Sequence, residues 1–381
     1  MTDTQTSNCE VLVVGAGVIG LSLALHLARE GVTGVRIVDR IGVGAEASGV
    51  APGGVRQQWS TSVNCLLSRE SVNFFRDFSA NVQSDRLPLL ESCGYLFLAH
   101  TLPALEQLKT SVSVQNQAGV PSRIVSAEEA ADIVPGLNCE QIRGASWCTE
   151  DGYFNKPREV IEAFAQAVET EQGPVSRANV TTLQRDHAGW RALTENGDVI
   201  TARQIVLATG YGTPALTAPL GLDLPIRKQQ RLLFFSNVAR TRLLEPLVIS
   251  DEHGIAAKQI ANGRIMVGDL KADSVKETFE QRRNRVSHQL GLMIPRLRDT
   301  TLTVTMEGFY DNTPDRQPVI DQLEEGLWVA AGFSGHGFML SPAIGLRLAR
   351  TLAGGQQDEL LSEFSFSRFQ NTSLEAEATI V

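Results

Sequence analysis

Two hydrophobic rhythms alternate along the chain. Val11-Leu12-Val13-Val14 and Val35-Arg36-Ile37-Val38 are short apolar runs of the kind buried in a parallel sheet, and between them Leu21 to Arg29 repeats its apolar residues at helical spacing. Helical spacing returns from Asn64 to Phe78, at Ala104 to Gln117, and from Ala127 to Ile133 behind the capping residue Ser126. Around Gly94-Tyr95-Leu96-Phe97-Leu98 the pattern is that of a strand. Between Leu220 and Thr305, short runs such as Arg231 to Phe235 and Arg264 to Val267 alternate apolar and polar residues, with one helical stretch near Val275 to Leu292. That alternation predicts a mostly antiparallel sheet carrying a helix. Two more buried strands, Gln204 to Leu207 and Trp328 to Ala331, end in small residues, and a last helix starts near Ser341.

The glycines turn these elements into candidate sites. After the first strand, Gly15-Ala16-Gly17-Val18-Ile19-Gly20 reads as strand, G-x-G-x-x-G turn and helix. The first glycine makes the tight turn, the second lets the backbone approach a pyrophosphate, and the third lets helix and strand pack closely. A lone fingerprint of this kind is weak, but the second strand ends in Asp39, with Arg40 beside it, 19 residues after Gly20. A carboxylate at that offset suits a ribose and disfavours a 2′-phosphate, so FAD or NAD fits better than NADP. At the other end of the chain, Gly332-Phe333-Ser334-Gly335-His336-Gly337-Phe338-Met339 is a glycine-rich turn leading into a helix. Its bare backbone and the helix N-terminus suit a phosphate or a negatively charged ring edge. Ala208-Thr209-Gly210 supplies a third small-residue strand end, and Gly42 to Gly54 forms a Gly/Ala/Ser loop suited to cover a ligand.

Composition narrows the class. The chain has 381 residues, 43% apolar and 20% charged, which is ordinary for a globular protein with two or three domains. A net charge of −9 argues against binding nucleic acid. Cys9, Cys65, Cys93, Cys139 and Cys148 are scattered, with no C-x-x-C pair, so no metal site is expected and reduced thiols are. Residues 1–10 lack a signal-peptide pattern and no apolar run reaches membrane-spanning length. A cytoplasmic location without a transmembrane segment is the expectation.

Taken together, GAGVIG, the loop carrying Ala47, Ser48, Gly53, Gly54 and Val55, the strand end at 208–210, Thr313-Pro314-Asp315-Arg316-Gln317-Pro318, and GFSGHGF resemble the D-amino-acid oxidase superfamily of flavoproteins over essentially the whole chain. The Thr-Pro-Asp and GFSGHGF pair resembles sarcosine oxidases, and Gly53-Gly54-Val55-Arg56-Gln57-Gln58 resembles the β-type subunits of bacterial sarcosine, proline, hydroxyproline and opine dehydrogenases. The resemblance implies a fold of α/β plus α+β class. A discontinuous Rossmann-like FAD-binding domain (1–85, 140–215 and 306–381) would enclose a substrate domain (86–139 and 216–305) on a mostly antiparallel sheet. It implies an FAD-dependent amine or amino-acid dehydrogenase or oxidase that removes hydride from the C–N bond of a secondary amine or amino acid, such as sarcosine, proline, hydroxyproline or an opine, to an imine that then hydrolyses. Other subunits of a hetero-oligomeric dehydrogenase are the expected partners. The turn Gly332 to Met339 would border the flavin's pyrimidine edge, and Val180 would meet the adenine through its backbone.

Departures from the pattern matter as much. The cysteine that tethers FAD in monomeric sarcosine oxidases corresponds to Gly308 here, so a non-covalent FAD is expected. Their carboxylate-binding lysine corresponds to Met339, and their oxygen-activating lysine to Met266. The stretch Asp151 to Pro157 lacks the histidine that tethers FMN in heterotetrameric sarcosine oxidases. Arg56, a surface arginine by default, becomes with this resemblance the candidate to hold a substrate carboxylate bidentately. His336 either orients substrate and flavin or satisfies backbone groups, and Tyr95 and Lys258 are candidate pocket residues that a structural role would explain equally well. Two other readings compete: a non-catalytic FAD-binding scaffold, and an NAD-dependent dehydrogenase, which leaves the C-terminal glycine turn without a role.

Overall fold

The computed structural model describes residues 6–271, 276–370, 374 and 376–378. Two large sheets and a small one organise them. The first is centred on Thr6–Val14, which pairs in parallel with Val35–Asp39 on one side and Val199–Leu207 on the other. Because successive side chains of a strand point to opposite faces, Val11 and Val13 join one core while Leu12 and Val14 join another. Helices Val18–Arg29, Pro157–Gln172 and Gly337–Gly354 cover the first face. On the other, Trp190, Leu183 and Ile226 pack against the strands. Val199–Leu207 has a divided edge. Its first half pairs antiparallel with Gly189–Thr194, and its last residues pair in parallel with Leu327–Ala331, so the expected C-terminal strand ends beside the Gly15 turn.

The second sheet runs Leu302–Asn312, Arg227–Ser236, Ile265–Asp269, Ile255–Gln259, Leu247–Ser250, Tyr95–Ala99, Gly144–Cys148, Arg123–Val125. All its pairings are antiparallel except that between Leu247–Ser250 and Tyr95–Ala99. Alternation again sorts its faces. Leu96, Leu98 and Ala257 pack with Val286, Leu290 and Met293 of helix Phe279–Met293, whereas Tyr95, Phe97 and Ala256 point the other way, towards the first sheet. Lys258, two residues after Ala256, is on that inward face. The helix anticipated from Val275 begins at Phe279 behind a Thr278–Gln281 capping box, and Val275 itself lies outside the described residues. So do the extreme ends, 1–5 and 379–381, of the anticipated cofactor domain.

Boundaries at 140 and 306 leave two strands of the second sheet, Gly144–Cys148 and most of Leu302–Asn312, on the cofactor-domain side. The reason is pairing: neither strand carries a local mark of which sheet it joins, and their partners, Tyr95–Ala99 and Arg227–Ser236, settle it. A three-stranded sheet of Gly54–Val55, Gly152–Phe154 and Leu90–Glu91 bridges the two layers and carries the Gly53-Gly54 loop to their junction.

Candidate active site

Where the strand tips of the first sheet meet the inward face of the second, a cavity of about 570 Å³ opens. One end is built by the first strand and its turn. Gly15 has φ +112°, and a Cβ there would sit 2.3 Å from the Ala208 carbonyl oxygen, so only glycine lets the chain turn against the neighbouring strand tip. The helix that follows begins with Val18, whose N–H donates to the Ser48 hydroxyl at 3.0 Å. Asp39 organises the loop around it. One carboxylate oxygen accepts the N–H of Ala16 at 2.8 Å, and the other those of Ile41 and Gly42, each at 2.8 Å. An ion pair of Arg40 with Glu46, which also accepts from the Tyr211 hydroxyl, closes the wall nearby. Val180, Ala208, Thr209, Gly210 and Gly308 complete this part of the lining.

The far end is built by the C-terminal turn. The N–H groups of Gly337, Phe338 and Met339 open the helix Gly337–Gly354 and have no helical carbonyl one turn behind them, while Leu340 starts the helical ladder by donating to His336. Gly335 has φ +92°, and a Cβ there would lie 2.3 Å from the Tyr310 ring, so that ring rests directly on the turn's backbone. The buried carboxylate of Asp311 accepts the Gly332 N–H at 2.7 Å and fixes where the turn begins. Burial raises its pKa to about 6 even though several turn N–H groups oppose the shift.

A second, smaller cavity of about 80 Å³ adjoins the first. The two share Ala51, Pro52, Arg231, Leu233, Tyr310, Gly335 and Phe338. Beyond that common wall lie Gly53, Gly54, Arg56, Tyr95, Lys258, Met266 and Met339. Lys258 is 2% exposed. Its Nζ donates to the Pro52 carbonyl at 2.6 Å and lies 3.9 Å from the centre of the Tyr153 ring, and burial lowers its pKa to about 7.

The long cavity has the features a dinucleotide with a ring system requires: a glycine turn that a Cβ would obstruct at one end, and two helix N-termini facing one continuous space. Residues 10–351 match the family described as DAO, FAD dependent oxidoreductase. The chain belongs to this family. Among relatives of this FAD-dependent oxidoreductase, FAD-dependent oxidoreductase domain-containing protein 1 of Bos taurus is 28% identical, covering 94% of this chain and 84% of the relative. An opine oxidase subunit of Agrobacterium tumefaciens is 25% identical over 94% of this chain and 97% of its own. Among solved structures, L-proline dehydrogenase from P. horikoshii superimposes with a TM-score of 0.87 and 27% identity, covering 98% of this chain and all of that one.

Within this oxidoreductase, most residues anticipated from the sequence line one cavity or the other. Gly15, Gly17, Val18, Ile19, Asp39, Arg40, Ala47, Ser48, Val180, Ala208, Thr209, Gly210, Gly308, Phe333, Gly335, Gly337 and Phe338 face the larger, and Gly53, Gly54, Arg56, Tyr95, Lys258 and Met339 the smaller. Six lie behind the walls instead. Ala16 holds Asp39 through its N–H, and Gly20 packs on the Gly15 carbonyl. Val55 is buried in the bridging sheet. Gly332 packs against Thr313, whose hydroxyl is 3.4 Å from that of Ser334. His336 is 1% exposed, with its ring edge-on to Trp59 at 4.5 Å between centroids. Burial and the Arg56 charge hold its pKa well below the usual histidine range, so it is a neutral ring packed under the turn.

Arg56 also differs from the open carboxylate clamp that its place in the loop predicts. Its guanidinium carbon lies over Trp59, 3.7 Å from the ring centroid, its Nη1 donates to the Gln58 carbonyl, and it is flanked by the charges of Glu377 and Asp151. Asp151 accepts from the Gln57 N–H at 2.7 Å and from Gln58 Nε2 at 2.9 Å, which knits the loop to the small bridging sheet. Glu377 is also buried, receiving the Ser60 N–H and hydroxyl and the Asn64 amide. The sequence reading missed Arg231, Phe309, Tyr310 and Asp311. The signal for them was indirect, because Arg231 stands opposite Gly308 only in the register of two antiparallel strands.

Proposed function

We propose that this oxidoreductase removes hydride from the C–N bond of a small secondary amino acid, of the size of sarcosine, proline or hydroxyproline, giving an imine that hydrolyses afterwards. One observation carries the reading: a small cavity shares a wall with the long cofactor cavity, so a molecule in the first would touch whatever ring occupies the near end of the second. Its volume of about 80 Å³ favours these substrates over the bulkier opines. FAD, when bound, supplies the hydride acceptor. Gly15, Gly17, Val18 and Asp39 would hold its nucleotide end, and Gly335, Gly337 and Phe338 its reacting end. At that end the N–H groups and dipole of the helix favour negative charge.

The chain's own groups do the rest. An amine releases hydride only when it is neutral, so a proton must leave the substrate's ammonium group first. Lys258 Nζ, at the wall of the smaller cavity and close to half-neutral at pH 7, is placed to take it. Tyr95 is unsuited to that task, because burial raises the pKa of its phenol. With glycine at 308 the cofactor has no tether there, and FAD is held non-covalently in this reading. Likeness to an opine oxidase subunit supports assembly with further subunits.

Anaerobic addition of sarcosine, proline, hydroxyproline or an opine to the flavin-loaded protein tests the proposal. Bleaching of the flavin band by one of the three smaller compounds is expected, and an oxidised spectrum unchanged by the whole panel would refute it. Acid precipitation should release the flavin into the supernatant. Flavin retained on the precipitated chain would refute non-covalent binding.

A further inference from the structure

We propose that Ser60, Thr61 and Asn64 form an internal carboxylate-binding site, that the side chain of Glu377 fills it, and that Glu377 thereby positions the Arg56 wall of the smaller cavity. The last step rests on the function proposed above, whereas the site itself does not.

Glu377 is fully buried although it belongs to no helix or strand. Burying a carboxylate is costly unless hydrogen bonds replace its water, and here they do. Oε1 accepts the Ser60 N–H at 2.8 Å and the Ser60 hydroxyl at 2.6 Å. Oε2 accepts the Thr61 hydroxyl at 3.0 Å and Asn64 Nδ2 at 3.1 Å. Thr61 is the N-cap of helix Ser62–Arg76, yet its hydroxyl makes no capping bond to that helix and turns to Glu377 instead. The Ala378 N–H donates to the Ser60 hydroxyl at 3.0 Å, which seats the backbone beside the side chain.

The donor set selects a carboxylate over an amide. Each oxygen faces one donor that cannot turn into an acceptor: the Ser60 N–H on one side, and on the other the Asn64 amide, held in place because it also donates to Gln317 Oε1 at 2.9 Å. An amide nitrogen in either position would meet a donor, so only a group with two acceptor oxygens satisfies both.

This site explains the Thr-Pro-Asp loop, which lines neither cavity. The Asp315 carbonyl accepts the Glu377 N–H at 3.0 Å, and the Asp315 carboxylate is ion-paired with Arg368. Gln317 reaches Asn64, and the Thr313 N–H donates to the Ser334 hydroxyl of the glycine turn at 3.3 Å. Glu377 therefore fastens the loop Arg56 to Thr61 to the segment that supports the turn. Arg56, a wall residue of the smaller cavity, is fully buried four residues before Ser60, and the negative charge of Glu377 favours its guanidinium there. Without that charge, Arg56 and the loop that carries it lose a buried anchor.

The test uses flavin-loaded wild type, Glu377→Ala and Glu377→Gln. Thermal midpoints are measured alone, with acetate, and with acetamide, an isosteric neutral control. Anaerobic flavin reduction by proline and sarcosine then gives kcat and KM. Both variants should melt about 5–10 °C below wild type. Acetate should recover about half or more of that loss in Glu377→Ala, beyond any effect it has on wild type, and none in Glu377→Gln, where the site is full. Acetamide should recover neither. KM should rise about 10-fold in both variants, with kcat and flavin content close to wild type. Glu377→Gln, which keeps the volume of the side chain, carries the thermal and kinetic comparison if the alanine variant does not fold.

Acetamide acting as well as acetate, or acetate stabilising Glu377→Ala no more than wild type, would overturn the carboxylate site. So would a Glu377→Gln protein that melts with wild type. A wild-type KM in the variants would overturn the positioning of the Arg56 wall. Wild-type flavin that neither compound reduces would remove the proposed function and the positioning with it, while the acetate comparison would still decide the site.

Discussion

Replacing Lys258 by methionine should make the protein more stable below pH 7 while impairing the reaction. The lysine is 2% exposed, and burial moves its pKa from 10.5 to about 7. In the unfolded chain it stays protonated up to about 10.5, so between these values the unfolded state binds the extra proton and the native state gains stability as pH rises. Below pH 7 the fold must bury the ammonium, at a cost of about 5 kcal/mol, since each pH unit of displacement corresponds to about 1.4 kcal/mol. Methionine nearly preserves the volume but leaves the Pro52 carbonyl without its donor, a loss of about 1–3 kcal/mol. The variant should therefore exceed wild type by about 2–4 kcal/mol at pH 6, and the advantage should fade through pH 7–10.5 and end as a small deficit. Urea unfolding of both FAD-saturated proteins at pH 6, 8 and 10, followed by tryptophan fluorescence, measures the difference directly. A difference that is constant across this range would refute the assignment of a near-neutral buried lysine. In parallel, the wild-type flavin-reduction rate should climb with pH through about 7, whereas the variant should lose that inflection.

Three further substitutions test the cofactor and substrate walls. Gly15→Ala forces a side chain into a left-handed conformation 2.3 Å from the Ala208 carbonyl, and should lower stability by about 2–4 kcal/mol with a fall in bound flavin, read from the ratio of 450 to 280 nm absorbance. Asp39→Ala strips the acceptor from the N–H groups of Ala16, Ile41 and Gly42, and should weaken FAD binding about 100-fold, measured by titrating apoprotein with FAD. Gly335→Ala places a methyl group 2.3 Å from the Tyr310 ring at a left-handed position of the turn, and should lower bound flavin and weaken the amino-acid substrate about 10-fold in the fraction that retains it, measured by the ratio of 450 to 280 nm absorbance and by anaerobic titration.

The glycine-turn end of the larger cavity was legible because local chemistry defines it. A tight glycine turn, an apolar strand and an acid at the next strand end are each fixed by a few adjacent residues, and Gly15, Gly17 and Asp39 stand where that pattern places them. The smaller cavity was legible only in part, because much of it is made by pairing between distant segments. Tyr95 and Lys258 were named as candidate pocket residues and do line the smaller cavity, but Arg231 and Tyr310 reach it through a sheet whose strands are separated by tens of residues, and alternation reveals only that such strands have two faces. Arg56 and His336 show the converse. Each sits in a glycine-rich motif that suggests exposure to a ligand, yet Trp59 packs against both and ties them into one buried cluster. Trp59 lies in the same loop as Arg56, but nothing local places the C-terminal turn against it.

Strand Leu302–Asn312 explains why the two cavities belong to one device. It is the edge of the second sheet, and its last third, still paired with Arg227–Ser236, also lines the larger cavity at Gly308, Phe309, Tyr310 and Asp311. Tyr310 touches the glycine turn through Gly335, and Asp311 holds the start of that turn through Gly332, so the strand grips the end of the parallel sheet at two adjacent residues. On its other edge it pairs with the strand carrying Arg231. The glycine turn thus stands between two elements: the N-terminus of helix Gly337–Gly354 opens onto the larger cavity, and Tyr310 and Asp311 tie the turn to the edge strand of the second sheet.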